Sequence, residues 1–320
     1  MNFNPATLLV ATLGLLLAVW PLAAPGAYLY LQVFGLACFY GILAMAWNIF
    51  ALTGSISLGH AAFFGLGAYG SALFCQHLHW SPFVTAPLGA LVGAAYGLLW
   101  CLVLHRLRGA YLGLATLAAM EIPKVIVDNW DGLTSGSLGI VGIPPLPDLR
   151  LGSLVLAPGT DLRAQYYLLL LLLFLAWLLH RWVIHSRWGW GLRAIRENEA
   201  AAAALGVEVN RSRFQALLLS AYLTGLCGGI YAHLMGLIEP TLVFSLHLSA
   251  LPLVLSIFGG RYQICGPILG ALLLYPLDQL VLQPWLPTGH AAIYGLMIIL
   301  TILFFPGGLA AWLTKPQQPA

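Results

Sequence analysis

Stretches of about 20 mostly apolar residues, the length a helix needs to cross a bilayer's hydrocarbon, recur from one end of this chain to the other. On that ruler the sequence predicts ten spans, at approximately 7–23, 28–50, 58–77, 82–104, 110–128, 165–184, 214–237, 241–258, 265–283 and 289–305. The count falls to eight or nine if the Gly-rich third run or the short eighth run, which starts at Pro240, fails to span. With 61% hydrophobic residues, the chain carries more apolar surface than one soluble core of 320 residues hides, so lipid must be the second solvent. The expected fold is an all-α polytopic membrane bundle forming a single transmembrane domain over 1–320. Residues 8–24 could pass for a secretory signal, but no Lys or Arg precedes them, so they are read as a retained first span.

Charge gives an independent check on the count, because Lys and Arg concentrate in cytoplasmic loops. With ten spans and both termini cytoplasmic, the inner side receives Arg106, Arg108, Arg181, Arg187, Arg193, Arg196, Arg211, Arg213, Arg261 and Lys315. Only Lys124, Arg150 and Arg163 fall outside. A net charge of +3 with no dense basic patch excludes a nucleic-acid partner. The outward loop, 129–164, is rich in Gly, Ser and Pro and is read as a lid or short re-entrant segment.

Several features carry no chemistry. GLGAYG at 65–70 matches a dinucleotide fingerprint by letter, yet it sits inside an apolar helical run with no preceding strand. Ala61, Gly65, Gly67 and Ser71 instead make a small-residue face, suited to close helix packing or to a gate. No nucleophile, paired-acid or HExxH pattern appears, and His77 and His79 lack further metal ligands. The five cysteines are scattered among apolar residues and read as small hydrophobes. No phosphate loop is present, so neither an enzyme nor a bound cofactor is expected. Among ionisable groups inside spans, Glu121 and Lys124 are three apart and can pair. Asp278 follows Pro276 with no partner evident from spacing.

The one polar excursion between spans is 185–213, which holds GLRAIRENEAAAAALGVEVNRSRF at 191–214. A helix is expected from Leu192 to Leu205, stopped by Gly206. Ala200–Ala204 give it a narrow waist, suited to a groove in another protein and poor as a lipid anchor.

Three stretches, SLGHAAFFGLGAYGSAL (57–73), LTSGSLGIVGIPPL (133–146) and RAIRENEAAAAALGVEVNRSRFQAL (193–217), resemble the LivM-type permeases of bacterial branched-chain amino acid ABC importers. The resemblance implies a multi-pass inner-membrane permease that works by alternating access. Its implied partners are a LivH-like second permease, two cytoplasmic ATPase subunits and an extracytoplasmic amino acid binding protein. The implied coupling helix comprises Arg193, Arg196, Glu197, Asn198, Glu199, Ala200, Ala201, Leu205 and Gly206. In the general pattern Gly comes six positions after Glu, whereas Gly206 is seven after Glu199. That departure leaves the docking register open. A leucine-like zwitterion would need polar partners along its path, and the candidates are Asn48, Thr53, Ser55, Ser57, Thr116 and Thr134. A permease of the same family for urea, short amides or other amino acids would keep all three stretches. An ion-coupled carrier, from a different class, would turn on Asp278.

Overall fold

The computed structural model describes residues 12, 14, 16–21, 26–104, 107–151, 154–287, 289–304 and 307–313. Most of the predicted first span, Arg106 and Lys315 lie outside these residues. Among the described residues, six helices are long and apolar enough to cross a membrane.

The long helices are α1 (Tyr28–Ala51), α2 (His60–Leu78), α3 (Pro82–Leu104), α4 (Gly109–Asp128), α5 (Leu162–His185), α6 (Arg187–Glu197), α7 (Glu199–Ala204), α8 (Val209–Met235), α9 (Leu246–Gly259), α10 (Gly266–Leu277) and α11 (His290–Phe304), with α6 and α7 the short exceptions. A turn of helix at Pro240–Val243 precedes α9 and counts with it as one apolar run of 20 residues. The predicted third span, α2, is not among the six apolar helices. Its Gly, His and Ser content lowers its hydropathy, and nearly its whole length is buried by protein.

The helices pack as two compact units. The first draws on residues 1–48, 161–181 and 252–320. There, a side chain at Gly41 would press on Leu173 and Ala271, so α1, α5 and α10 meet closely. Asn48, fully buried on α1, donates to the Arg261 carbonyl and lies 3.4 Å from His180 Nε2. A buried amide needs such partners because lipid offers none. After α10 the chain enters a π-helical turn at Asp278–Leu282 and then a short turn at Gln283–Trp285, so the predicted ninth span is not one regular helix.

The second unit, from 49–160 and 182–251, is built on α2, α3 and α8. Gly67 of α2 lies against the backbone of Gly225 on α8, where a Cβ would overlap it. Bare backbone at such crossings lets helices approach closely, which is what drives association when lipid replaces water. Ser71 donates to Thr85 (3.1 Å) and lies 2.9 Å from His233 Nε2, while His233 Nδ1 donates to the Pro144 carbonyl at 2.7 Å. His60 bridges Ser57 and Ser220 at 3.0 and 2.8 Å. Outward, α4 exposes Tyr111, Leu114, Ile122, Val125 and Ile126, an apolar stripe that only lipid or another apolar surface can cover.

The loop 129–164, read from the sequence as a lid or short re-entrant segment, contains short ordered pieces. β1 (Ile140–Val141) pairs antiparallel with β4 (Leu237–Ile238), and β2 (Leu149–Leu151) with β3 (Leu154–Leu156). β4 follows α8 directly, so the loop is sewn to the end of that helix. Lys124 and Glu121 form the expected pair at 3.2 Å.

Candidate functional site

The charged excursion begins where α5 ends. Ser186 caps α6, its Oγ accepting from the Gly189 amide at 3.0 Å and donating to the Val183 carbonyl at 2.7 Å. Arg193 reaches back to the Ile184 carbonyl at 2.8 Å and lies 4.0 Å over the Trp190 ring. A cation at the carbonyl end of α5 suits that helix's dipole. Burial, with Arg196 as the second cause, pulls the Arg193 guanidinium below its ordinary pKa. Leu192 and Ile195 turn inward and Trp190 outward, giving α6 one apolar face. Arg196 pairs with Glu197 and packs against Gly54.

A single helix from Leu192 to Leu205 was the expectation, and the structure corrects it. The chain breaks at Asn198, whose backbone is extended (φ −156°, ψ 109°) and whose Oδ1 accepts from the Ala201 amide at 3.0 Å. Asn binds its own backbone better outside a helix than inside one, so it starts α7 instead of continuing α6. Asn198→Ala should cost the cap about 1 kcal/mol. The expected result is amide hydrogen exchange at Ala201 faster by about five-fold.

α7 is short and open. Of its alanines only Ala202 is buried, and Leu205 just past it is 85% exposed. Gly206 turns the chain at φ +88°, a conformation that costs Gly little. The exposed side is therefore smooth, slender and apolar.

Glu199 fixes this helix to the membrane helices. Its carboxylate accepts from Arg108 Nε and Nη2 at 3.1 and 2.9 Å, and from Arg213 Nη1 and Nη2 at 3.0 and 2.9 Å. Arg108 immediately precedes α4 and Arg213 lies in the first turns of α8, so one carboxylate joins three elements. Hydrogen bonds from Arg108, then from Arg213, hold the carboxyl below the usual carboxylate range. Sequence reading included Glu199 but missed Arg108 as its partner. The two are 91 residues apart, and no local spacing signals the pair.

The candidate pathway groups are not gathered on one wall. Ser55 and Thr116 both line a cavity of about 510 Å³ in the second unit. Thr53 donates to the Phe50 carbonyl and Thr134 to the Val127 carbonyl, Ser57 is bonded to His60, and Asn48 belongs to the first unit. Thr116 also accepts from the Leu58 amide at 3.0 Å. Of the small-residue face, Gly65 faces the Phe244 ring, Gly67 meets Gly225, Ser71 joins the His233 network and the Ala61 amide donates to Ser249. Asp278 Oδ1 is buried without a hydrogen-bond partner, while Gln279 donates to Oδ2 at 3.5 Å.

Comparison with known proteins places this chain in a family. The profile described as "Branched-chain amino acid transport system / permease component" matches residues 29–304. The chain belongs to that family of membrane transport components. It is 29% identical over 296 residues to the high-affinity branched-chain amino acid transport system permease protein LivM of Salmonella typhimurium strain LT2, covering 87% of this chain and 69% of the relative. It is also 29% identical over 327 residues to LivM of Escherichia coli K12, covering 97% and 75%. The autoinducer 2 import system permease protein LsrC of Enterobacter sp. strain 638 is 27% identical over 321 residues, covering 97% and 88%. These relatives are transport permeases, not enzymes. No solved structure gives a significant match.

Proposed function

We propose that this chain is the permease subunit of an ABC importer that carries branched-chain amino acids into a bacterial cell across its inner membrane. Separate ATPase subunits drive the cycle of alternating access. One observation carries the reading: an exposed alanine helix, α7, is held at its first residue by a carboxylate clamped between two membrane helices. A partner that grips α7 can then move α4 and α8 through ion pairs, with no soft linker between.

The family match and the LivM likeness support branched-chain amino acids as the substrate over urea or short amides. Likeness to LivH of Escherichia coli K12, at 24% identity over 290 residues, supports a second permease of related fold as partner. The same reading assigns ten spans with both termini inside and one permease domain. An amino acid binding protein would dock near 129–164, and two ATPases would dock at 185–213. Ser55 and Thr116, with Asn48, Thr53, Ser57 and Thr134, remain the proposed polar groups near the path, and the face of Ala61, Gly65, Gly67 and Ser71 its packing or gate.

The test is charge reversal beside the clamp. Arg196→Glu or Glu197→Arg, assayed in the assembled transporter, should lower ATP-driven leucine uptake by about ten-fold with membrane levels unchanged. Uptake equal to wild type at equal membrane level would refute coupling through this segment.

A further inference from the structure

The cavity that takes in Ser55 and Thr116 has, apart from those two hydroxyls, features that the proposed transport path does not use. Its walls are apolar, formed by Phe50, Trp100, Leu102, Leu112 and Phe214. Its polar end carries Arg108, Arg211 and Arg213. Among the described residues, no acidic side chain lines it. Leu102 is 67% exposed, so this wall continues onto the apolar flank of α3.

Among the described residues, the ion pairs at the polar end leave it positive. Arg108 and Arg213 contribute two positive charges and Glu199 one negative, which leaves a net +1, while Arg211 pairs separately with Glu208 at 3.1 Å. Among the described residues, Arg213 Nε is buried with no hydrogen-bond partner. α8 also begins here, and Glu208 gives its first turn no side-chain cap, so the positive end of a 27-residue helix adds to the same field. A volume of about 510 Å³ lies within the range of ligand sites.

These features describe the ligand. A zwitterionic amino acid would bring an ammonium group to a polar end where three guanidiniums outnumber the two carboxylates, Glu199 and Glu208, already paired with them. An inorganic anion would leave the apolar walls without an occupant. An anionic headgroup with an attached hydrocarbon chain satisfies both ends. We propose that the cavity binds one anionic phospholipid of the cytoplasmic leaflet, its phosphate among Arg108, Arg211 and Arg213 and part of one acyl chain along Trp100, Leu102 and Phe214. The assignment of the leaflet rests on the topology given under the proposed function; the chemistry of the site does not. Because Arg108 and Arg213 also hold Glu199, the lipid phosphate shares the guanidiniums of the coupling clamp, and lipid charge becomes an input to coupling.

Full-length chain, purified in detergent, is titrated with phosphatidylglycerol, phosphatidylcholine, inorganic phosphate or leucine, with retained lipid read by native mass spectrometry and stability by Tm. Phosphatidylglycerol should be retained at one molecule per chain and raise Tm, and the other three should do neither. Arg211→Ala, a change at an exposed residue, should weaken phosphatidylglycerol retention about five-fold, the worth of one basic side chain near a charged membrane surface. Cys101→Trp, which fills the cavity from its wall, should abolish the phosphatidylglycerol response; its own Tm without lipid reports whether it folds. Equal retention of the two phospholipids, displacement of phosphatidylglycerol by phosphate or leucine, or an undiminished response in folded Arg211→Ala and Cys101→Trp would each overturn the proposal. No ATPase or binding protein enters this assay, so its failure leaves the transport reading standing, and failure of the uptake test leaves the lipid site standing.

Discussion

Glu199→Gln is expected to lower ATP-driven uptake by about ten-fold or more in the assembled transporter, with the protein still folded and inserted. The carboxylate holds two guanidiniums by four hydrogen bonds, and an amide in its place cannot neutralise either. The stability cost is modest, about 1 kcal/mol, because Glu199 and Arg108 are 38% and 44% exposed and water screens them. The mechanical cost is larger, since the amide keeps only one acceptor oxygen and turns its NH2 toward the guanidinium donors, so the two-arginine clamp on α7 is broken. The effect should be non-additive: Arg213→Ala alone should resemble Glu199→Gln, and the double variant should be little worse than either. Independent, additive losses would show that the pair does not act as a unit. The pH dependence has a definite sign. With the folded-state pKa of Glu199 depressed, the clamp is intact above the ordinary carboxylate value of about 4.3 and is lost only as pH falls through the lower folded value. No loss of uptake traceable to Glu199 is therefore expected between about pH 5 and 8.

Gly67→Leu should do the opposite, leaving no folded protein with which to measure transport. The Cβ of any larger residue there would occupy the backbone of Gly225, and no rotamer change relieves a clash with main chain. Overpacking a well-packed core costs roughly 1–3 kcal/mol, and separating two helices that are themselves packed on α3 costs more. Against a total stability on the order of 5–15 kcal/mol, that should sharply reduce membrane yield and Tm. Gly132→Ala is the control, because a methyl group there meets nothing within 4 Å. Normal yield of Gly67→Leu would mean that α2 and α8 do not cross at this point.

The long helices were legible because lipid imposes one rule, about 20 apolar residues per crossing, and 28–50, 82–104 and 110–128 obey it nearly to the residue. The exposed alanine segment was legible for a related reason: charge is so rare in this chain that a polar stretch marks itself. What escaped was set by side-chain competition or by tertiary contact. The break at Asn198 depends on one amide preferring a cap to a helical turn, a choice worth about 1 kcal/mol that helix propensity summed over a window obscures. The clamp depends on Arg108 and Glu199 meeting across a fold that no spacing encodes. The small-residue character of α2 was visible as GLGAYG, but its contact with Gly225 required the packed helices. The π-helical turn at Asp278 had only Pro276 as a local sign.

α8 is continuous over 27 residues, which at 1.5 Å per residue makes a rod of about 40 Å, longer than the hydrocarbon it crosses. Near its first turns Arg213 grips the α7 clamp; near its last, His233 holds the Pro144 carbonyl and β4 pairs with β1. On the proposed topology, the two faces of the membrane are read by opposite tips of one lever. Thermodynamic reciprocity then applies: whatever binds at the 140–146 tip and favours one tilt of the lever must alter affinity at the α7 tip by the same factor, and the converse holds equally.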